Sequence, residues 1–377
     1  MFHRVSYLGY YVLKGLVLKK YFFLFVCMII FTGCATLKIG KPVDNPSPKI
    51  TSWIAFWDWD RGVKSIQKNS DIITEIMPFW YDMDSTGNLF PSQGIPEMRE
   101  QGLLKSMNEK KFVEYCHRRG IKVIPLISNE FNKFHVHEML SNNSIRQYHL
   151  ENIVNLVVEN QYDGIDIDYE GMMKEDRNLY SYFLRDLAER LHGYGKILSV
   201  AVHAKVSEPG GWDSNIAHDY PAIGHVVDRV RIMAYDHHWS GGEPGCIQPL
   251  DWIEQIVNFA VTVIPPEKIY LGIGIYGIDW GSPKDREAMY HDAVRIAREN
   301  KSAIQWDLLS KENWFTYTEE STYSNRTVWF QDGKSFSYRW DLVRRYKLGG
   351  ISFWRIGGED PQTWRIIRAD KDILKID

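Results

Sequence analysis

From Ile50 onward, short apolar and β-branched runs alternate with longer stretches of helical period, which predicts parallel strands joined by crossover helices. Eight such runs stand out: Ile50–Phe56, Ile72–Phe79, Lys122–Leu126, Gly164–Glu170, Ile197–Ala204, Arg229–Ala234, Lys268–Ile275 and Gly350–Trp354. Eight is the number that closes an α/β fold of the (β/α)8, or TIM-barrel, type. An open doubly wound sheet would alternate in the same way, but no glycine-rich phosphate turn follows the first run. Among the helices, Ser144 and Gln147 read as a capping box ahead of Ile153, Leu156 and Val157. Leu179, Phe183, Leu187 and Leu191 recur every fourth residue on the next.

The seventh and eighth runs are about 70 residues apart, too far for one helix and too near for a second domain. The interval holds a helical stretch from Asp285 to Arg298, aromatic runs at Gln305–Trp306, Trp314–Tyr317 and Val328–Phe330, and a helix ending near Tyr346. A small α+β insertion over about 281–345, at the barrel rim and without a core of its own, is expected.

Residues 1–33 read differently. Arg4, Lys14, Lys19 and Lys20 precede an apolar run from Tyr21 to Phe31, with no acid among them, as in a secretory signal. The run falls short of the roughly 20 apolar residues that span a bilayer. Phe31-Thr32-Gly33-Cys34 resembles the cleavage box of bacterial lipoproteins, which implies lipid on Cys34 and a secreted protein anchored to a bacterial membrane, periplasmic or at the cell surface. Residues 34–49, with Pro42, Pro46 and Pro48, read as a tether, and 50–377 as the barrel. Cys116 falls on a helical stretch, where a packing role is expected.

The charge balance, 45 Lys plus Arg against 48 Asp plus Glu, gives a net −3 and builds in no attraction to nucleic acid, so none is expected as a partner. Aromatic residues make up 14%, with 14 Trp, a composition suited to an uncharged ring-shaped ligand as well as to a core.

The fourth run carries the chemistry. Strand alternation puts Ile165, Ile167 and Tyr169 on one face and Asp166, Asp168 and Glu170 on the other. Three acids about 7 Å apart on an edge strand would simply be solvated, but a central strand of a parallel barrel has no solvated face. Confined there, at least one has its pKa raised, giving a proton donor beside a carboxylate.

The run Asp163-x-x-Asp166-x-Asp168-x-Glu170 resembles the acidic motif of glycoside hydrolase family 18, the chitinases and their N-acetylglucosaminidase relatives. Met233-x-Tyr235-Asp236 is similar to that family's sixth-strand motif, Gly272-x-x-x-Tyr276-Gly277 to its seventh strand, and Trp354 to its eighth-strand tryptophan. The insertion and the ending through Trp364 look most similar to the spore-cortex and cell-wall glucosaminidase branch.

The resemblance implies cleavage of β-1,4 bonds in a polysaccharide containing N-acetylglucosamine, chitin or peptidoglycan, with retention and no cofactor. It implies that Glu170 protonates the leaving oxygen while the substrate's own acetamido oxygen attacks, one of the substrate-assisted exceptions to the two-carboxylate scheme. By the same likeness Asp168 orients the acetamido group, Asp166 shares a proton or hydrogen bond with Asp168, and Tyr235 donates to the acetamido oxygen. Asp236 and Met233 help hold the sugar, and Trp354 forms the floor beneath it. Asp163, out of phase with the other acids, reads as structural.

Trp57, Trp59, Trp80, Asn129, Glu130, His203 and Trp239 stand at or just beyond strand ends and could line a cleft, Trp239 most directly because it follows Asp236. His237 and His238 are not expected to hold a metal, because adjacent strand-end side chains point apart and no third ligand at suitable spacing is evident. The competing reading is a catalytically weak or inactive chitinase-like surface lipoprotein that only binds carbohydrate; Glu170, Asp168 and Tyr235 together count against it.

Overall fold

The apolar runs form eight parallel strands: β1 (Lys49–Ile54), β2 (Ile73–Met83), β3 (Leu126–Ser128), β4 (Gly164–Asp168), β5 (Ile197–His203), β6 (Arg229–Met233), β7 (Ile269–Gly274) and β8 (Gly350–Trp354). They appear in a computed structural model that describes residues 47–92, 95 and 108–373. Each strand pairs with the next, and β1 pairs with both β2 and β8, so the sheet closes into a barrel. The expected signal, Cys34 and most of the tether lie outside the described residues.

The third run is interrupted. Lys122–Val123 pairs with β2, then Pro125, which has no N–H to donate, breaks the ladder before β3 resumes at Leu126.

A helix follows each strand: Trp59–Asn69, Glu109–His117, Asn143–Glu159, Arg177–Gly193, Tyr220–Val226, Leu250–Val263, Gly333–Arg345 and Pro361–Ile373. Phe183, Leu187 and Leu191 are fully buried, as their spacing predicts, and Cys116 is buried on its helix. The capping box is corrected. Asn142, in extended backbone, is the N-cap, and its side-chain oxygen accepts from the N–H groups of Ser144 and Ile145. Ser144 already lies within the helix, so its hydroxyl has no end to cap.

Between β7 and Gly333 lies an antiparallel five-stranded sheet made of Tyr276–Trp280, Arg286–Met289, Gln305–Asp307, Glu312–Glu319 and Ser324–Phe330. The helix expected from Asp285 begins only at Tyr290, because Arg286–Met289 is drawn into the ladder beside Tyr276–Asp279. The insertion also has a small core of its own, Ala288, Ala293, Ala297, Phe315, Val328 and Phe330, contrary to expectation. Small residues on one helix face let that helix lie close against the sheet's aromatic rings. Gly333–Arg345 is the seventh barrel helix and buries Phe336, Trp340 and Val343 in the main core.

Inside the barrel, polar and apolar layers are stacked. Buried Arg231 forms one layer: its Nη1 donates to Thr51 Oγ1 (2.7 Å) and Ser352 Oγ (2.8 Å), its Nε to Ser199 Oγ (2.8 Å) and its Nη2 to Glu75 Oε2 (2.9 Å). Arg229 and Lys49 also approach Glu75, at 3.3 and 3.8 Å. Burial works against the Glu75 anion, but Arg231, Arg229 and Lys49 outweigh it and hold its carboxyl below the usual range. A separate apolar cluster holds Trp53, Met77, Leu126 and Ala201, with Met233, Tyr235 and Trp354 packed against it.

Candidate active site

β4 delivers its acids to the C-terminal mouth of the barrel, where sites form on this fold. Ile165, Ile167 and Tyr169 are buried toward the helices, and the acids take the inner face. Asp166, wholly buried, accepts from Trp53 Nε1 at 2.8 Å and lies 3.5 Å from Arg231 Nε. Burial raises its pKa against the opposing pull of Arg231, Ser199 and Trp53. Asp168, one step higher, has its pKa pushed well up, first by burial and then by the charges of Glu170 and Asp166, and its Oδ1 is buried without a hydrogen-bond partner. Glu170 is pushed up to about 8 by burial and by Asp236. His203 Nε2 stands 3.5 Å from Glu170 Oε2; burial and Lys205 depress this imidazole to about 4, so it is a neutral neighbour at pH 7.

These groups open into a cleft of about 750 Å³ walled by Trp53, Asp168, Glu170, His203, Trp212, Met233, Tyr235, Asp236, Trp239, Trp252 and Trp354. Tyr276 donates its hydroxyl to Asp236, whose backbone at φ 56° is left-handed and ends the strand geometry of β6. Arrayed this way, the site offers a protonated acid, a buried carboxylate oxygen awaiting a donor, a tyrosine hydroxyl and aromatic walls. It is equipped to protonate a leaving group while holding an uncharged ring.

Other sequence candidates fall elsewhere. Trp80 is not in the cleft: it is buried among Trp59, Phe112 and Tyr162, because its side chain takes the helix-facing side of β2. Trp59 packs in that same cluster. Trp57 is an exposed rim residue lying edge-on to Trp354, with ring centres 6.3 Å apart. Glu130 is exposed and does not line the cleft. Asp163 sits just before β4 and accepts from Val123 N–H (2.8 Å), with His117 Nε2 at 2.9 Å.

Asn129 is corrected from sugar contact to backbone clamp. It is fully buried; its Oδ1 accepts from Glu170 N–H (2.8 Å) and its Nδ2 donates to Glu170 O (2.6 Å). Asn129→Ala is therefore expected to lower kcat by about 10- to 100-fold at nearly constant KM, the cost of loosening a positioned acid, as steady-state kinetics would show. A rise in KM alone would return Asn129 to the sugar-binding set.

The histidine pair also departs from expectation. After Asp236 the chain no longer alternates, and the His237 and His238 rings lie 5.1 Å apart. His237 N–H donates to Ile247 O (2.9 Å), folding the loop back so that Cys246 joins them. A third candidate ligand is thus present, brought by loop closure that residue spacing does not encode.

Trp53, Arg231, Trp212, Trp252 and Tyr276 escaped the sequence reading as site residues. For Arg231 a signal existed, a cation at the centre of an apolar parallel strand, matched by Glu75 in the second run.

The family model described as glycosyl hydrolases family 18 matches residues 52–359. The cortical fragment-lytic enzyme of Bacillus cereus is 31% identical over 291 residues, covering 74% of this chain and 67% of that one. Among solved structures, the spore cortex-lytic enzyme SleL of Bacillus cereus superposes with a TM-score of 0.75 at 26% identity, covering 85% of this chain and 73% of the other. A chitinase of Chromobacterium violaceum matches with a TM-score of 0.76 at 22% identity over 85% of this chain and 98% of its own, a likeness of fold. The matched span takes in seven barrel strands whole and the second half of β1, together with every acid of the β4 motif, and the chain belongs to glycosyl hydrolase family 18 as a glycosidase related to the cortex-lytic enzymes.

Proposed function

We propose that this glycosidase cleaves β-1,4 bonds beside N-acetylglucosamine in a polysaccharide of the peptidoglycan or chitin kind, with retention, using the substrate's acetamido group as nucleophile. Kinship with cortical fragment-lytic enzymes favours the peptidoglycan side. The observation that carries the mechanism is the pairing of Glu170 with Asp168. Glu170 holds its proton to about pH 8 and faces the cleft, whereas Asp168 presents a buried oxygen with no partner in the protein. An orphaned carboxylate oxygen calls for a donor, and an acetamido N–H supplies one. That bond aims the acetamido oxygen at the anomeric carbon and stabilises the positive oxazolinium that follows. Tyr235, lining the same wall, donates its hydroxyl to the acetamido oxygen, and Trp354 packs beneath the ring.

The experiment is proton NMR of the first product released from a chito-oligosaccharide and from peptidoglycan. The β anomer is expected first, with a new reducing-end N-acetylglucosamine. An α anomer, or equal cleavage of a substrate whose acetamido group has been replaced by hydroxyl, would exclude acetamide participation.

A further inference from the structure

Beside the cleft, on the outer side of the loop that follows β6, lies a second pocket of about 480 Å³ lined by His237, His238 and Cys246. One ligand atom from each of the three lies within 4.8 Å of the other two. We propose that these residues bind a soft divalent cation of the zinc type, and that the ion pins the loop from Asp236 to Ile247, which supplies Asp236 and Trp239 to the cleft.

Three features beyond proximity point to a ligand. His238 Nδ1 faces the Glu243 carbonyl at 2.9 Å, and a carbonyl can only accept, so Nδ1 carries the proton and Nε2 is left with its lone pair free. This is the outer-shell arrangement that fixes tautomer and orientation in metal-bound imidazoles. Gly245 is needed for it, because a Cβ at that position would come within 2.6 Å of three atoms of the His238 ring. His237 is held from the other side by the edge of Trp252, 5.0 Å between ring centres, and Trp252 also walls the catalytic cleft. Cys246 is a free thiol, partly open to the pocket.

Two imidazoles and a thiolate suit zinc, and a tetrahedral ion with bonds of about 2.0–2.3 Å needs its ligands about 3.3–3.8 Å apart. The observed separations close by about 1 Å, within reach of side-chain rotation on a loop. On binding, the Cys246 S–H releases its proton to solvent as the metal–sulfur bond forms, and a water completes the fourth position. The inference does not depend on which polysaccharide is cut.

The test is titration of the full chain, freed of metal, with Co²⁺ and with Zn²⁺ alone. Wild type is expected to bind one Co²⁺ with a thiolate-to-cobalt charge-transfer band and the intense visible bands of a tetrahedral ion, and Zn²⁺ is expected to displace it. Cys246→Ser should lose the charge-transfer band, and His238→Ala should weaken binding at least tenfold. Zn²⁺ should also raise the Tm of wild type but not of Cys246→Ser, and should shield one wild-type thiol from a colorimetric disulfide reagent. Absence of the charge-transfer band in wild type, or the same band and the same zinc-induced Tm shift in Cys246→Ser, would overturn the proposal. Because Cys246 is only half-buried, Cys246→Ser is expected to fold, and an unchanged far-ultraviolet circular dichroism spectrum with a single cooperative unfolding transition verifies that each variant is native.

Discussion

Glu170→Gln is expected to lower kcat by about 10²–10⁴-fold with little change in KM, the usual contribution of a general acid. The substitution is nearly isosteric, and the backbone at position 170 stays clamped by both polar atoms of the Asn129 side chain, so the sugar meets an unchanged wall. Only the transferable proton is lost. Steady-state kinetics on a fluorogenic chito-oligosaccharide would show it; a variant retaining more than about a tenth of wild-type kcat would remove Glu170 from the acid role.

The same proton sets a pH limit. Glu170 must be protonated to act and is pushed up to about 8, so kcat/KM of wild type should fall as pH rises through about 8, and the residual activity of Glu170→Gln should lack that limb. Stability follows the same sign. The unfolded chain releases this proton near 4.5 and the folded chain only near 8, so between those values the native state binds the extra proton and loses stability as pH rises. Glu170→Gln removes that slope, and its denaturation midpoint should gain on wild type from pH 5 to pH 9.

Much of this site is legible before any coordinates. The alternation from Tyr162 to Glu170 assigns Asp166, Asp168 and Glu170 to the inner face because a strand's period of two leaves no other choice. The barrel follows from counting runs rich in apolar and β-branched residues, since a parallel barrel strand is covered on both faces. What could not be read was set by partners distant in the chain. Asn129 and Glu170 meet because β3 and β4 are neighbours in register, Ser128 opposite Asp168, and nothing local to Asn129 separates a clamp from a sugar ligand. Trp80 and Trp57 are both strand-end tryptophans in sequence, yet one faces the helices and the other the rim. Cys246 reaches His237 only because the loop folds back through the His237–Ile247 hydrogen bond. The helix expected from Asp285 lost its first turn to a ladder partner that periodicity cannot see.

Arg231→Met is expected to cost about 3–5 kcal/mol of folding stability, although Arg231 does not line the cleft and approaches the acids of β4 at buried Asp166 beneath it. Met matches the length of the Arg stem and keeps the apolar packing, so the loss is electrostatic. Without the guanidinium, Glu75, about 1% exposed, loses its nearest countercharge, and Thr51, Ser199 and Ser352 lose the donor that links them across the barrel. A buried carboxylate stripped of its partner is far costlier than the intact pair is stabilising. The second substitution follows from that asymmetry. Glu75→Gln added to Arg231→Met removes the stranded charge, while Arg229 and Lys49, both partly exposed, turn their own charges toward water. The double variant should therefore recover about half the loss or more, which with the cost of Glu75→Gln alone makes a coupling of at least about 2 kcal/mol in the double-mutant cycle. Urea denaturation read as a shift in midpoint at constant slope would measure it. A single variant within about 1 kcal/mol of wild type, or a double variant no more stable than the single, would mean that the hydroxyls and entering water, and not Arg231, neutralise the barrel floor.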